Sequence, residues 1–231
     1  MTATELLVRA EQAAALAGLE LRRDDSGLLE LALPGGPAVS AAAALLERPR
    51  PGGADPLWRA TLAGRELIVD ATAGLGSDAF HLAAKGASVT LIERSPVLAA
   101  LLSDALGAAR SGHFGAGAAG AAQRLTLVEG DATLLLAGQG APTAGVVYLD
   151  PMFGGVAGSA APPKGMAVLR RLFAEEETLI EDEAMLLHAA RAAAGRRVVV
   201  KRALRAPSLG QVAASGSLRG RTVRYDLYAP L

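Results

Sequence analysis

The hydrophobic pattern divides the chain into two stretches of different rhythm. Residues 5–17 are rich in Ala and Leu and predict a helix. Leu19–Arg22 and Leu28–Leu33 alternate around Asp24-Asp25-Ser26-Gly27, a hairpin signal. The breaker clusters Pro34-Gly35-Gly36-Pro37 and Pro49-Arg50-Pro51-Gly52-Gly53 then prevent long elements. Residues 1–60 therefore read as a small α+β appendage. From Glu66 onward, strands alternate with helices. The predicted strands are Leu67-Ile68-Val69, Ser88–Ile92, Leu125–Glu129, Val146–Leu149 and Arg197–Lys201. The predicted helices cover Asp78–Lys85, Pro96 to about Arg110, and most of Pro162–Ala194, in one piece or two. Ser95-Pro96 supplies an N-cap and a proline at the first helical position. The Gly/Ala-rich Ser111–Ala122 is expected to be a loop, and strands near Ser217–Leu218 and Thr222–Tyr228 a closing hairpin. Such alternation predicts an α/β fold over residues 61–231, with a mostly parallel sheet covered on both faces.

Composition narrows the chemistry. The chain has 231 residues, 51% of them apolar, enough for a real core. It has no cysteine, which excludes disulfides, thiol catalysis and Cys-ligated metal centres. His81, His113 and His188 are scattered without metal-ligand spacing, so no metal is expected. No apolar run is long enough to span a membrane, and the N-terminus lacks a signal-peptide pattern. The expected location is the cytoplasm. The excess of Ala (51) and of Arg (20) over Lys (3) fits genome base composition better than function.

Lys plus Arg and Asp plus Glu number 23 each, for zero net charge. Neutrality argues against nucleic acid until the charges are located. Residues 1–190 hold 14 basic and 22 acidic side chains, whereas residues 191–231 hold 9 basic and 1 acidic. Some of these arginines can pair with Glu175-Glu176-Glu177 and Glu181-Asp182-Glu183. The remainder can form a confined phosphate-binding face.

Two stretches carry candidate chemistry. In Val69-Asp70-Ala71-Thr72-Ala73-Gly74-Leu75-Gly76-Ser77-Asp78, glycines follow a strand and open a helix, the place where a ligand approaches backbone closely. Glu93 ends the next strand, where a carboxylate can accept both hydroxyls of a ribose. The dinucleotide fingerprint would put its third glycine at Ala79. Asp70 before the turn suits S-adenosylmethionine better, because Asp70 or Asp78 can hold the ammonium of its methionine part. Asp131, past the third strand, can reach an adenine amino group. The plainer readings are that Asp70 caps a turn the glycines merely permit, and that Asp131 is a surface turn residue.

The second stretch, Val147-Tyr148-Leu149-Asp150-Pro151-Met152-Phe153, ends the fourth strand at the same rim. Asp-Pro-x-aromatic suits methyl transfer to an amino group conjugated with a ring. Asp150 accepts an N–H, Pro151 fixes the backbone and Phe153 stacks on the base, a contact worth about 1–3 kcal/mol. An ordinary strand-ending turn and a core aromatic are the plain alternatives.

Together these residues resemble the bacterial small-subunit ribosomal RNA methyltransferase J family over most of residues 57–231. The specific stretches are Asp70–Gly76 with Asp78-Ala79-Phe80, Leu91–Val97, Val147–Phe153 and Arg197–Arg202. The resemblance implies a Rossmann-like class I S-adenosylmethionine-dependent methyltransferase fold. It also implies methyl transfer to N2 of a guanine in 16S rRNA, with the 30S subunit as partner. It implies that Ser77, Asp78, Glu93, Arg94, Asp131, Ala132 and Asp150 contact the cofactor, beside Asp70, Gly74 and Gly76. Lys164, Lys201 and Arg202 are the expected RNA contacts. The chain departs from the family at Ser77, where members often carry Arg, at Asp131-Ala132, which replaces small hydroxyl residues, and at Ala203, where Pro is usual. A Gly/Ala-rich 154–163 stands in place of a Lys-rich segment. The Asp-Pro motif alone also fits an amino-methyltransferase acting on DNA adenine, a protein amide or a small molecule. An NAD-dependent oxidoreductase and a non-catalytic RNA-binding module are the readings from other classes.

Overall fold

A computed structural model describes residues 2–46, 55–61, 67–138, 144–151, 164–174 and 180–231. The chain runs through α1 (Ala3–Leu16), β1 (Glu20–Arg23), β2 (Leu29–Ala32), β3 (Ala38–Val39), α2 (Ala41–Leu46) and α3 (Pro56–Thr61). It continues with β4 (Leu67–Asp70), α4 (Ser77–Ala84), β5 (Ser88–Glu93), α5 (Pro96–Arg110), α6 (Ala116–Ala122) and β6 (Leu125–Glu129). It closes with α7 (Ala132–Ala137), β7 (Ala144–Leu149), α8 (Lys164–Leu172), α9 (Ile180–Ala193), β8 (Ala194–Ala203), β9 (Gly216–Arg219) and β10 (Val223–Tyr228).

Helix α1 starts two residues before the position its composition predicts, because a capping box sets its first turn. The Thr2 hydroxyl accepts from the Glu5 N–H at 3.2 Å, and Glu5 accepts from the Thr2 N–H at 2.7 Å. Leu6, Ala10 and Ala14 recur every fourth residue and are buried. The expected hairpin forms. Asp24 Oδ1 accepts from the N–H groups of Ser26 and Leu28, and Gly27 takes φ +84°. Ser111–Ala122 differs from the expected loop, since Ala116–Ala122 is helix α6. Alanine has the strongest helix preference, and Ala121 and Ala122 gain burial against the rest of the fold. The Arg110 side chain donates to the carbonyls of Ala122 (3.3 Å) and Leu125 (2.7 Å), which ties this helix to the strand that follows.

The large sheet has the order β6-β5-β4-β7-β8-β10-β9. Strands β4 to β8 are parallel, and β10 is antiparallel to both β8 and β9. The parallel strands read as continuous apolar runs because both faces are covered. Ile68, Val89, Leu91, Val146, Tyr148 and Val199 join the cluster containing Phe80, Leu98 and Leu102. Their neighbours Val69, Ile92, Val147, Leu149, Val198 and Val200 join Leu136, Leu187 and Ala190 on the other face. The chain order reverses between β4 and β7, so the ligand crevice of this fold class lies outside the carboxyl ends of those two strands.

Among the described N-terminal elements α1, β2 and α2 pack against α5, and Leu6, Leu29 and Leu31 belong to the same core cluster as Leu98 and Leu101. One polar staple fixes the junction. Asp104 of α5 accepts from the Leu29 N–H at 2.9 Å and from Arg23 at 3.0 Å. Replacing Asp104 with Ala leaves a part-buried strand N–H without its acceptor. The expected cost is about 1–3 kcal/mol. A urea midpoint equal to that of the unmodified protein would remove Asp104 from this role.

Candidate functional site

Backbone hydrogen bonds build the crevice at the carboxyl ends of β4, β5 and β7. The Ala71 N–H donates to the Tyr148 carbonyl at 2.9 Å, and the Ala73 N–H donates to the Ile92 carbonyl at 3.1 Å. These bonds lay the glycine turn across three strand ends. Gly74 and Gly76 take φ of +57° and +81°. A side chain at Gly76 is excluded twice, by that conformation and by Leu102, whose Cδ2 would stand 2.7 Å from a Cβ. Ser77 then begins α4, exposed, with Asp78 beside it.

Glu93 braces the turn from β5. It is only 7% exposed, and both its oxygens accept backbone bonds, from Gly74 N–H at 2.7 Å and Ser95 N–H at 2.8 Å. Burial pushes its carboxyl above the usual range, and those two N–H groups and the neighbouring exposed Arg94 partly offset the shift. Each oxygen keeps a further lone pair for a hydroxyl. Asp131 caps α7, accepting from the Leu134 N–H at 3.2 Å, and Ala132 follows it, buried.

The centre of the site is a chain of polar contacts among side chains from separate elements. Asp78 Oδ2 accepts from the Tyr148 hydroxyl at 2.5 Å and from Lys201 Nζ at 2.7 Å. The same ammonium reaches Asp150 Oδ2 at 2.8 Å. The Asp150 N–H donates to the Thr72 hydroxyl at 2.6 Å, and the Thr72 N–H donates to Asp70 Oδ1 at 3.1 Å. Four carboxyls, Asp70, Asp78, Glu93 and Asp150, thus share a small volume with the Lys201 ammonium. Burial holds Asp70 well above its ordinary range, and the charges of Asp78, Asp150 and Glu93 add to the shift against the bond from Thr72. Burial also raises Asp150, with Lys201 opposing it. Burial alone would lower Lys201, but Asp150 and Asp78 outweigh it and push its ammonium up. Tyr225, opposite Lys201 in the β10–β8 register and 6% exposed, is pushed up to about 12 by burial and by the charge of Asp78.

The structure therefore brings together Asp70, Gly74, Gly76, Asp78, Glu93 and Asp150, with Pro151 half-buried beside them. Phe153 lies outside the described residues, as does the side chain of Lys164, although that residue opens α8. Lys201 stands inside the site, paired with two carboxylates, rather than on an outer phosphate-facing rim. Arg202 is a correction. It is 4% exposed, donates to the Pro207 carbonyl at 3.0 Å and pairs with Glu183 at 3.6 Å, so it has no surface to offer a phosphate. Its β10 neighbour Arg224 is likewise held by the carbonyls of Ala203, Leu204 and Ala206 and by Asp226. Sequence reasoning missed Thr72, Tyr148 and Tyr225 as site residues, and missed where Lys201 points. Strand alternation was the available signal for Lys201, since it places that residue on the face of Val199, opposite Val198 and Val200.

Residues 48–230 match the family described as putative SAM-dependent methyltransferase. Ribosomal RNA small subunit methyltransferase J of Hydrogenovibrio crunogenus is 44% identical over 179 residues, covering 77% of this chain and 63% of that protein. Its namesake in Laribacter hongkongensis is 46% identical over 171 residues, covering 72% of this chain and 57% of that protein. The chain thus spans about three fifths of the length of these curated relatives. A SAM-dependent methyltransferase from Neisseria gonorrhoeae superposes with a TM-score of 0.68 at 32% identity, covering 88% of this chain and 79% of that one. An rRNA methyltransferase from Streptomyces viridochromogenes shares the fold alone, with a TM-score of 0.50 at 15% identity, covering 80% of this chain and 89% of that one.

The crowded carboxyls make the free protein sensitive to pH in a defined sense. Asp70 keeps its proton in the fold at a pH where the unfolded chain has lost it. Its contribution to stability is thus full below the unfolded value and is lost as pH rises through the folded one. Asp70→Asn keeps the acceptor for Thr72 and carries no charge. Without ligand it should melt about 2–4 °C above the unmodified protein at pH 8, the shift about 1 kcal/mol gives a chain of this size, and level with it near pH 4. A lower melting temperature at pH 8 would contradict this electrostatic picture.

Proposed function

The chain belongs to the family of putative SAM-dependent methyltransferases, and from that membership we propose that it methylates small-subunit ribosomal RNA, at the N2 amino group of a guanine in 16S rRNA. The observation that carries this reading is the placement of Asp150, held by Thr72 and Lys201, at the strand-order reversal beside a glycine turn braced by Glu93. Identity of 44% and 46% to proteins named ribosomal RNA small subunit methyltransferase J supports the substrate class.

The residues present suit S-adenosylmethionine. An excess of carboxyls over ammonium groups favours a ligand that brings positive charge, and a glycine turn braced by Glu93 favours a nucleoside. Asp70 and Asp78 would hold the ammonium of the methionine part. Gly74, Gly76 and Ser77 would line the path of the ligand, Glu93 with Arg94 would take the ribose hydroxyls, and Asp131 with Ala132 would meet the adenine. When bound, the cofactor supplies an electrophilic methyl group on a positively charged sulfur.

The chain's own contribution is to bind, orient and polarise. The exocyclic nitrogen of guanine is a weak nucleophile because its lone pair is delocalised into the ring. Asp150 accepts one N–H and so favours a pyramidal nitrogen with its lone pair freed. Pro151 would fix the backbone that carries this acceptor. Held in line with the methyl group that the cofactor would supply, the nitrogen lone pair would be the nucleophile. The surplus proton on nitrogen leaves afterwards to Asp150 or water. Positioning and preorganised charge supply most of the rate.

Exposed arginines give RNA a face at the same rim. In the antiparallel register Val223 pairs with Ala203, and Arg224 pairs with Arg219. The end of β8 and the β9–β10 turn therefore share the edge of the sheet next to Asp150. Arg205, Arg219 and Arg221 are exposed there. Small subunits assemble in the bacterial cytoplasm, which is where we place the protein.

The test incubates labelled cofactor with 30S subunits from a strain lacking the related methyltransferase. Label is expected in 16S rRNA, on guanine N2. Label in protein or small molecules with none in 16S rRNA would overturn this reading. Asp150→Ala should bind cofactor and lose at least about a hundredfold in transfer rate, and unimpaired transfer would refute the role of Asp150.

A further inference from the structure

Lys201 has a position that RNA binding does not explain. Its side chain is 24% exposed, and its ammonium sits between two carboxylates at 2.7 and 2.8 Å. An ammonium has three N–H donors, and two of them point at Asp78 and Asp150. The bond to Asp150 goes to Oδ2. Among the described residues Oδ1 of Asp150 accepts no hydrogen bond, and neither does Oδ1 of Asp78. Each carboxylate is thus anchored by one oxygen and presents the other.

We propose that Lys201 is a positioning residue for methyl transfer: by bridging Asp78 and Asp150 it fixes the Asp150 carboxylate as a charged acceptor and leaves Oδ1 for the amino group that is methylated. This rests on the reading of Asp150 given above. The geometry shows what opposes protonation of Asp150 in a crowded anionic site. Asp78 faces it from α4, Asp70 from β4, and the phenols of Tyr148 and Tyr225 from β7 and β10. Arg202 adds a second positive charge from β8. Among these groups, Lys201 is the cation that touches the carboxylate. A protonated Asp150 would present a donor where the reaction needs an acceptor. Lys201 keeps its own protons throughout and takes no part in the proton balance of the transfer.

The parallel register sets the two partners of the bridge side by side. Tyr148 pairs with Val199 and Leu149 with Val200 in the parallel register, so Asp150 and Lys201 are the next positions beyond a shared ladder. The Asp150 backbone is fixed from the other side by Thr72. The carboxylate is consequently held at backbone and at Oδ2, with rotation about its last bond restrained.

The experiment compares the unmodified protein with Lys201→Met and Lys201→Arg, using labelled cofactor and 30S subunits that lack the modification. Removing an opposite charge this close raises a carboxyl by about 1–3 pH units. The acid limb of kcat should therefore move up by at least about one unit in Lys201→Met. At pH values well below that limb kcat should fall about tenfold or more and recover as pH rises, with KM for the subunit little changed, which marks an interaction used only in transfer. Lys201→Arg should restore the limb. An unshifted limb with normal kcat, and a raised KM that depends less on salt, would make Lys201 an RNA contact and overturn the proposal. Carbon-13 titration of the Asp150 carboxyl, assigned with Asp150→Asn, should show the same upward shift without any substrate, and no shift would also overturn it. If the unmodified protein transfers no methyl to 30S subunits, the functional reading fails while this titration still decides the role of Lys201. Should Lys201→Met not fold, Lys201→Gln serves in both measurements.

Discussion

Carboxyls crowded together, two of them buried and two half-buried, are the constraint on which this site rests. Asp70, Asp78, Glu93 and Asp150 arrive from four different places in the chain and meet at one rim of the sheet. Carboxylates gathered away from water repel one another and lose solvation, and a partial set of partners leaves such a cluster costly. The fold answers with donors from separate elements. Lys201 joins Asp78 to Asp150, the Tyr148 hydroxyl adds to Asp78, Thr72 links Asp70 to the Asp150 backbone, and two N–H groups hold Glu93. These donors suffice to build the site but leave it short of positive charge. That shortage is what a sulfonium and an ammonium would supply.

The remaining architecture keeps this cluster in register. Glu93 couples the glycine turn to the end of β5, and Gly76 lies against Leu102 of α5. Helix α5 also carries Asp104, which receives the N-terminal hairpin. A displacement of α5 would therefore be felt both at the hairpin and at the turn. The N-terminal residues extend the core on the face of the sheet that bears Tyr148 and Tyr225.

Much of this was legible in the chain itself. Apolar runs separated by helices give a doubly covered parallel sheet, and the Asp70–Asp78 stretch announces its turn through glycines at positions where the backbone takes positive φ. The Asp-Pro motif marked the correct strand end. Other features escaped. Helix α6 was hidden because Gly and Ala together look like a flexible tract, while burial of Ala121 and Ala122 decides in favour of helix. Arg202 and Lys201 are neighbours of like charge, yet strand alternation sends one to Glu183 and the other to Asp78 and Asp150. Local composition cannot separate them, because the partner of each lies far away in sequence. Thr72 was invisible for the same reason: its hydroxyl serves the Asp150 N–H, 78 positions downstream.

The central claim is that a cation completes this set of crowded carboxyls, and calorimetry of cofactor binding tests it most directly. Titrations with S-adenosylmethionine near pH 5.5, in buffers of different ionisation enthalpy, count the protons exchanged on binding. A positive ligand beside Asp70 and Glu93, whose carboxyls burial has raised, should draw off their protons, so the account predicts saturable binding with net proton release and no comparable binding of NADH. Proton uptake, or binding of NADH in place of S-adenosylmethionine, would contradict it.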